Sequence, residues 1–227
     1  MQVKLVSNVL KANDQIAADN RRLLARGRTL VVNLMSSPGS GKTTLLERTI
    51  AELGEACPMA VVEGDLFTTR DADRIERLGV PVVQINTEGG CHLDAQMVRA
   101  ALQDLPWEGR DILFIENVGN LVCPAAWDLG EDLRVAMVSV SEGDDKPAKY
   151  PRMFREAAAV VVNKLDLLSM TDFSLDRLEE DLRLLNPAAP IFCLSARTGE
   201  GLAAWVAWLK GRVAAKRDGA ATVGVAP

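Results

Sequence analysis

Two rhythms of apolar residues divide this chain. Over residues 1 to 26, apolar pairs recur at Leu5/Val6, Val9/Leu10, Ile16/Ala17 and Leu23/Leu24, with polar residues between them and Gly27 immediately after. That spacing predicts an amphipathic helix lying over the rest of the molecule, with a break near Asn13. From residue 28 onward the apolar residues gather in short unbroken runs: Leu30 to Met35, Met59 to Glu63, Val80 to Ile85, Ile112 to Glu116, Val135 to Val140, Ala159 to Asn163 and Ile191 to Leu194. Unbroken Val/Ile/Leu runs are the mark of strands covered on both faces. Helical periodicity fills the intervals at Lys42 to Leu53, Ala72 to Leu78, Leu93 to Leu105, Leu175 to Leu185 and Gly201 to Val213. Alternation of this kind predicts an α/β fold with a mostly parallel sheet. The division expected is an N-terminal helix at 1–27, one α/β domain at 28–215, and a disordered tail at 216–227, which is rich in Ala, Gly, Val and Thr.

Composition narrows the possibilities. Of the 227 residues, 48% are hydrophobic and 25% charged, which are values for a globular chain. Lys and Arg number 26 against 31 Asp and Glu, so the net charge of −5 offers no basic field for nucleic acid or an anionic membrane. No apolar run approaches the roughly 18 residues of a membrane span, and the N-terminus lacks a signal-peptide pattern. Four widely spaced cysteines (Cys57, Cys91, Cys123, Cys193) suit reduced thiols rather than a disulfide scaffold. The expected location is the cytoplasm.

The run Leu30 to Met35 leads into Ser36-Ser37-Pro38-Gly39-Ser40-Gly41-Lys42-Thr43-Thr44 and then a helix. Glycines there let backbone N–H groups close around phosphate oxygens at a helix N-terminus, whose dipole favours an anion. In a phosphate loop of this type, Gly39, Ser40, Gly41 and Thr44 cradle the nucleotide, Lys42 reaches the β- and γ-phosphates and the Thr43 hydroxyl ligates Mg²⁺. The usual motif has Gly where this chain has Ser36. The fold class is thereby specified as a Rossmann-like, three-layer P-loop NTPase with an N-terminal helical extension. Asn163-Lys164-Leu165-Asp166 follows a later strand and selects the base. The Asp166 carboxylate can accept from guanine N1–H and its N2 amino group, neither of which adenine offers. Lys164 is expected across the base plane and Asn163 as a brace, with backbone N–H groups of Ser195-Ala196-Arg197 meeting the guanine oxygen. The ligands are therefore GTP and GDP. Asp65, ending Glu63-Gly64-Asp65, and Glu116, opening Glu116-Asn117-Val118-Gly119, are the further Mg²⁺ candidates, and the Gly119 N–H is placed to meet the γ-phosphate. Lys42, Asp65, Glu116 and Gly119 form the expected catalytic set. Asn120 stands where a water-orienting glutamine would follow, so intrinsic hydrolysis is expected to be slow.

The lone histidine, His92, adjoins Cys91, and Cys123 lies beyond the next strand. Both loops are expected at the carboxyl edge of a parallel sheet, beside the phosphate loop. Two thiolates and an imidazole suit Ni²⁺ or Zn²⁺, with water or a second copy of the chain completing the shell. The alternative is that these three side chains are structural. Cys57 and Cys193 read as core residues, and Trp205 and Trp208 as packing on one helical face.

Taken together, the phosphate loop, Glu-Gly-Asp, Gly-Gly-Cys-His-Leu-Asp-Ala, Glu-Asn-Val-Gly-Asn-Leu-Val-Cys-Pro and Asn-Lys-Leu-Asp resemble the hydrogenase nickel-incorporation GTPases, the HypB family of the SIMIBI class, up to about residue 213. The resemblance implies a GTPase metallochaperone whose metal ligands are Cys91, His92 and Cys123. It also implies a GTP-dependent homodimer, a HypA-type zinc protein as partner and the large subunit of [NiFe] hydrogenase as client. Urease or another nickel or cobalt enzyme is the alternative client. The related urease accessory GTPases carry Cys-Pro-His where this chain has Cys-His. Residues 1 to 35 contain neither Cys nor His, so the N-terminal nickel motif and His-rich stretch of some members are not expected.

Overall fold

The Val/Ile/Leu runs build one sheet whose neighbouring strands are all parallel. The computed structural model describes residues 2–66 and 69–219, with side chains from residue 8 onward. Its elements are α1 (Gln2–Arg26), β1 (Leu30–Ser36), α2 (Lys42–Leu53), β2 (Met59–Asp65), α3 (Arg70–Glu76), β3 (Val82–Asn86), α4 (Ala95–Asp104), β4 (Ile112–Glu116) and β5 (Leu133–Ser139). There follow α5 (Lys146–Lys149), α6 (Pro151–Arg155), β6 (Ala159–Asn163), α7 (Leu175–Leu185), β7 (Ile191–Cys193) and α8 (Leu202–Arg217). The strands lie in the order β3-β2-β4-β1-β5-β6-β7, with β1 in the middle.

Coverage on both faces explains why the strands read as unbroken apolar runs. In β1, Leu30, Val32 and Leu34 join a core with Leu45 and Leu46 of α2 and Trp205 and Leu209 of α8. Val31 points the other way, to Leu24 of α1 and Val98 of α4, and Met35 meets Phe154 and Leu178 of α6 and α7. The result is the expected three-layer α/β fold. Trp205 is fully buried, donates from Nε1 to Thr49 Oγ1 at 2.9 Å and stacks on Trp208, so both tryptophans do pack. No described helix is long and apolar enough to cross a membrane.

The boundaries differ from the sequence reading in instructive places. The first helix is not broken at Asn13. That side chain donates to Asp128 O at 2.8 Å and accepts from Ala95 N at 2.9 Å, so its polarity docks α1 onto the sheet layer. Asn20 repeats the device, donating to the carbonyls of Ala95 and Leu129. At the other end, Lys216 and Arg217 belong to α8 rather than to a disordered tail, because they pair with Asp132 and Asp111. The rest of the expected tail, from residue 220, lies outside the described residues. Strand β3 starts at Val82, just after Pro81, and α4 starts at Ala95 because Asp94 is its N-cap, accepting from Met97 N at 2.8 Å.

Candidate functional site

Every loop singled out in the sequence leaves the carboxyl edge of the sheet, the edge where parallel α/β folds place their ligands. The phosphate loop leaves β1 and wraps toward α2. Gly39 and Gly41 take positive φ values of 76° and 96°, and a Cβ on Gly41 would lie 2.6 Å from Asn163 Nδ2, so only glycine fits there. Ser36, the departure from the usual motif, is fully buried and useful. Its Oγ accepts from Ser40 Oγ at 2.5 Å and from Lys42 Nζ at 3.1 Å. Beside the loop is a cleft of about 320 Å³ lined by Gly39, Gly41, Lys42, Thr43 and Thr44 from one side, and by Glu63, Asp65, Arg74, Glu116 and Gly119 from the others.

After β6, Asn163 ties three segments together. Its Nδ2 donates to Ser40 O at 2.9 Å, and its Oδ1 accepts from Ala196 N at 2.9 Å. Lys164 has a positive φ of 64°, a conformation that non-glycine residues adopt mainly where surroundings enforce it, and its Nζ donates to Gly39 O at 2.7 Å. Asp166 accepts from Ser195 Oγ at 2.5 Å and pairs with Arg197 at 2.8 Å. The Ser195 hydroxyl first, then the Arg197 charge, holds its carboxyl below the usual aspartate range. The N–H groups of Ser195 and Ala196, expected on the guanine oxygen, already donate within the chain, to Glu200 O and Asn163 Oδ1.

Two carboxylates face each other at the end of the cleft. Glu63 and Glu116 are paired across β2 and β4, and both are buried. Thr43 Oγ1 donates to Glu116 Oε1 at 2.9 Å, while Glu63 Oε2 and Glu116 Oε2 have no hydrogen-bond partner. Burial pushes the pKa of each upward, and Glu116 adds its charge against Glu63, whereas Lys42 and the Thr43 hydroxyl pull Glu116 back down. Unpartnered buried carboxylate oxygens beside a threonine hydroxyl are what a hard divalent cation would satisfy. Glu63 carries no role in the sequence reading, and its one signal there is an acidic residue ending the apolar run Met-Ala-Val-Val-Glu. Arg74 was also missed; it pairs with Glu47 and Asp71 and donates to Thr44 Oγ1 at 3.1 Å. Gly119 packs on the phosphate loop so closely that a Cβ would lie 2.8 Å from Pro38 Cα.

The structure brings Cys91, His92 and Cys123 together, with their ligand atoms all within 4.8 Å of one another. Bonds of about 2.0–2.3 Å from a central metal can span such a set with little closure. Burial holds the His92 pKa below its ordinary value, favouring the neutral, ligating imidazole. The Cys123 thiol is pushed up, first by its hydrogen bond to Cys91. Trp127, unremarked in the sequence, stacks on His92 with ring centroids 4.4 Å apart. Asn120 does not face the phosphate cleft but accepts from the N–H groups of Val122 and Cys123, shaping the turn that carries the thiol. Cys57 is buried in the core near α8, as expected, whereas Cys193 on β7 is only half-buried against the core of β6 and α7.

Comparison with known proteins accounts for the arrangement. Residues 30–193 match the family model described as the CobW/HypB/UreG nucleotide-binding domain. Over 203 residues the chain is 50% identical to the hydrogenase maturation factor HypB of Escherichia coli K12, covering 89% of this chain and 70% of that one. The chain belongs to the HypB family. Another HypB relative, named a hydrogenase/urease maturation factor, from Helicobacter pylori, is 45% identical over 204 residues, covering 88% of this chain and 84% of that one. The crystal structure of HypB from Helicobacter pylori in complex with nickel superimposes with a TM-score of 0.87 at 40% identity, covering 95% of this chain and all of that one. The HypB family is one of P-loop GTPases, and this chain carries Gly39-Ser40-Gly41-Lys42-Thr43 and Asn163-Lys164-Leu165-Asp166.

Proposed function

We propose that the chain is a GTP-hydrolysing nickel carrier that assists metal insertion into [NiFe] hydrogenase in the cytoplasm. The observation that carries this reading is the convergence of Cys91, His92 and Cys123 on the same sheet edge as the phosphate loop. In this reading Lys42 leaves Ser36 to neutralise the β- and γ-phosphates, and the backbone of Gly39 to Thr44 cradles them. Asn163 and Lys164 brace the base loop, and Asp166 reads guanine. The orphaned Glu116 oxygen and the Thr43 hydroxyl fit Mg²⁺, which Thr43, Asp65 and Glu116 would hold and which would spread the charge developing on the phosphates. Gly119 senses the γ-phosphate. With Asn120 turned to the Cys123 loop, no carboxamide there orients the attacking water, which supports a slow intrinsic rate.

Nickel is the cargo. Cys91, His92 and Cys123 provide three soft or borderline donors, one short of a closed tetrahedral shell. A second copy across this rim supplies the missing contacts in a GTP-dependent homodimer, and the 61% exposed Val122 beside Cys123 would be covered there. Zn²⁺ fits the same donors. A HypA-type zinc protein and the hydrogenase large subunit are the partners in this scheme. The name of the Helicobacter pylori relative favours a second reading, in which urease is also a client.

The guanine assignment is tested by Asp166→Asn. The substitution replaces an acceptor for guanine N1–H and the N2 amino group, so GTP affinity is expected to fall about tenfold or more. Xanthosine triphosphate should bind better than to wild type. Filter binding with GTP, xanthosine triphosphate and ATP measures all three, and unchanged GTP affinity in the variant would refute the base assignment.

A further inference from the structure

The Cys91–His92 arm is gripped at the residue that follows it. Leu93 is fully buried and touches two residues that line the cleft, Asn117 and Gly64. Its N–H donates to Asn117 Oδ1 at 3.1 Å, in the segment between Glu116 and Gly119. Its side chain presses on Gly64, between Glu63 and Asp65, so closely that a Cβ there would lie 2.9 Å from Leu93 Cδ1. Asn117 is itself 1% exposed and fully engaged: Oδ1 also accepts from Val118 N at 3.0 Å, and Nδ2 donates to Asn33 Oδ1 on β1 at 3.2 Å. This carboxamide therefore joins the strand that feeds the phosphate loop, the Glu116–Gly119 segment and the Cys91–His92 arm.

We infer that Asn117 is a positioning residue that sets the Cys91–His92 arm according to nucleotide state, through its bond to the Leu93 N–H. The inference rests on the reading of the chain as a GTP-responsive nickel carrier. Beyond Leu93 the chain is anchored, because Asp94 caps α4 and Asn13 and Asn20 hold Ala95. A shift of residues 116–119 toward a γ-phosphate must then either carry Leu93 along or break a buried hydrogen bond. A buried N–H left unpaired is unfavourable, which couples any movement of residues 116–119 to movement of Leu93. His92 is the next residue back along the chain. Coupling through packed and hydrogen-bonded neighbours of this kind is a linkage between two binding equilibria, and it is measured as a ratio of affinities.

The test is the ratio of Ni²⁺ dissociation constants of the full chain with Mg²⁺·GDP and with a non-hydrolysable GTP analogue, by equilibrium dialysis. In wild type the ratio should differ from one by about fivefold or more. Asn117→Ala removes the acceptor and should bring the ratio to within about twofold of one. A merely structural role would weaken nickel binding in both states and leave the ratio alone. Gly64→Ala pushes Leu93 from the opposite side without touching Asn117, and should also collapse the ratio. Folded Asn117→Ala protein with the wild-type ratio would overturn the inference while leaving the nickel-carrier reading in place. Should Asn117→Ala not fold, a wild-type ratio in Gly64→Ala overturns it instead. A wild-type ratio of one would defeat the carrier reading itself, and the inference with it.

Discussion

Replacing Lys42 by Ala is expected to lower GTP turnover at least about a hundredfold, with the fold intact. In the structure Lys42 is buried, 8% exposed, and its ammonium donates to Ser36 Oγ at the floor of the phosphate loop. It lines the cleft beside the phosphate loop, and a fixed charge in such a site needs no reorganisation at the moment of reaction. Its removal does not open the core, because the methylenes lie at the cleft rather than inside the clusters of α2 and α8. It does withdraw the charge that pulls Glu116 back toward the ionised form, leaving the Glu63/Glu116 pair more readily protonated. Phosphate release under saturating Mg²⁺·GTP is the measurement, with a thermal melt as the control for folding. A fully active Lys42→Ala protein would remove the phosphate-loop assignment.

The second large effect is expected at the metal cluster. The doubly substituted Cys91→Ala, Cys123→Ala protein keeps one of three donors, and nickel affinity at this site should fall by more than about a hundredfold. Both side chains are half-exposed on loops, so little packing is lost with the sulfur atoms. Wild-type affinity should also weaken as pH falls. Thiols bind a metal as thiolates, and the Cys123 proton, retained by its hydrogen bond to Cys91, must leave first. His92, already biased to the neutral form, adds less to that dependence at neutral pH. Equilibrium dialysis against nickel at several pH values measures both effects. Equal uptake by wild type and double variant would remove the metal assignment.

The legible parts were those with strong local signals. A strand buried on two faces announces itself as a short Val/Ile/Leu run, and β4 and β6 begin and end where the sequence puts them. The phosphate loop and the guanine loop were visible because glycine and charged residues at fixed spacing have few other uses. The structure also bears out the sequence reading that Cys91, His92 and Cys123 share one edge, since parallel strands must release their loops on the same side. The short α5 and α6 are invisible in the sequence: four or five residues with Pro147 or Pro151 in the first turn carry no helical periodicity to read. Asn13 misled for a related reason. A buried carboxamide in a helix looks like an interruption until its partners, Asp128 and Ala95, are known to lie more than eighty residues away. Glu63, Asn117 and Trp127 share that difficulty, because each matters through a neighbour brought to it by the sheet and not by the chain.

The central claim is that nucleotide state and nickel affinity are linked. The most direct measurement titrates the wild-type chain with nickel in the presence of Mg²⁺·GDP and, separately, of a non-hydrolysable GTP analogue, with light scattering recording the mass at each step. Linkage predicts two distinct nickel affinities and a larger particle in the state that dimerises. One affinity and one mass in both states would contradict it.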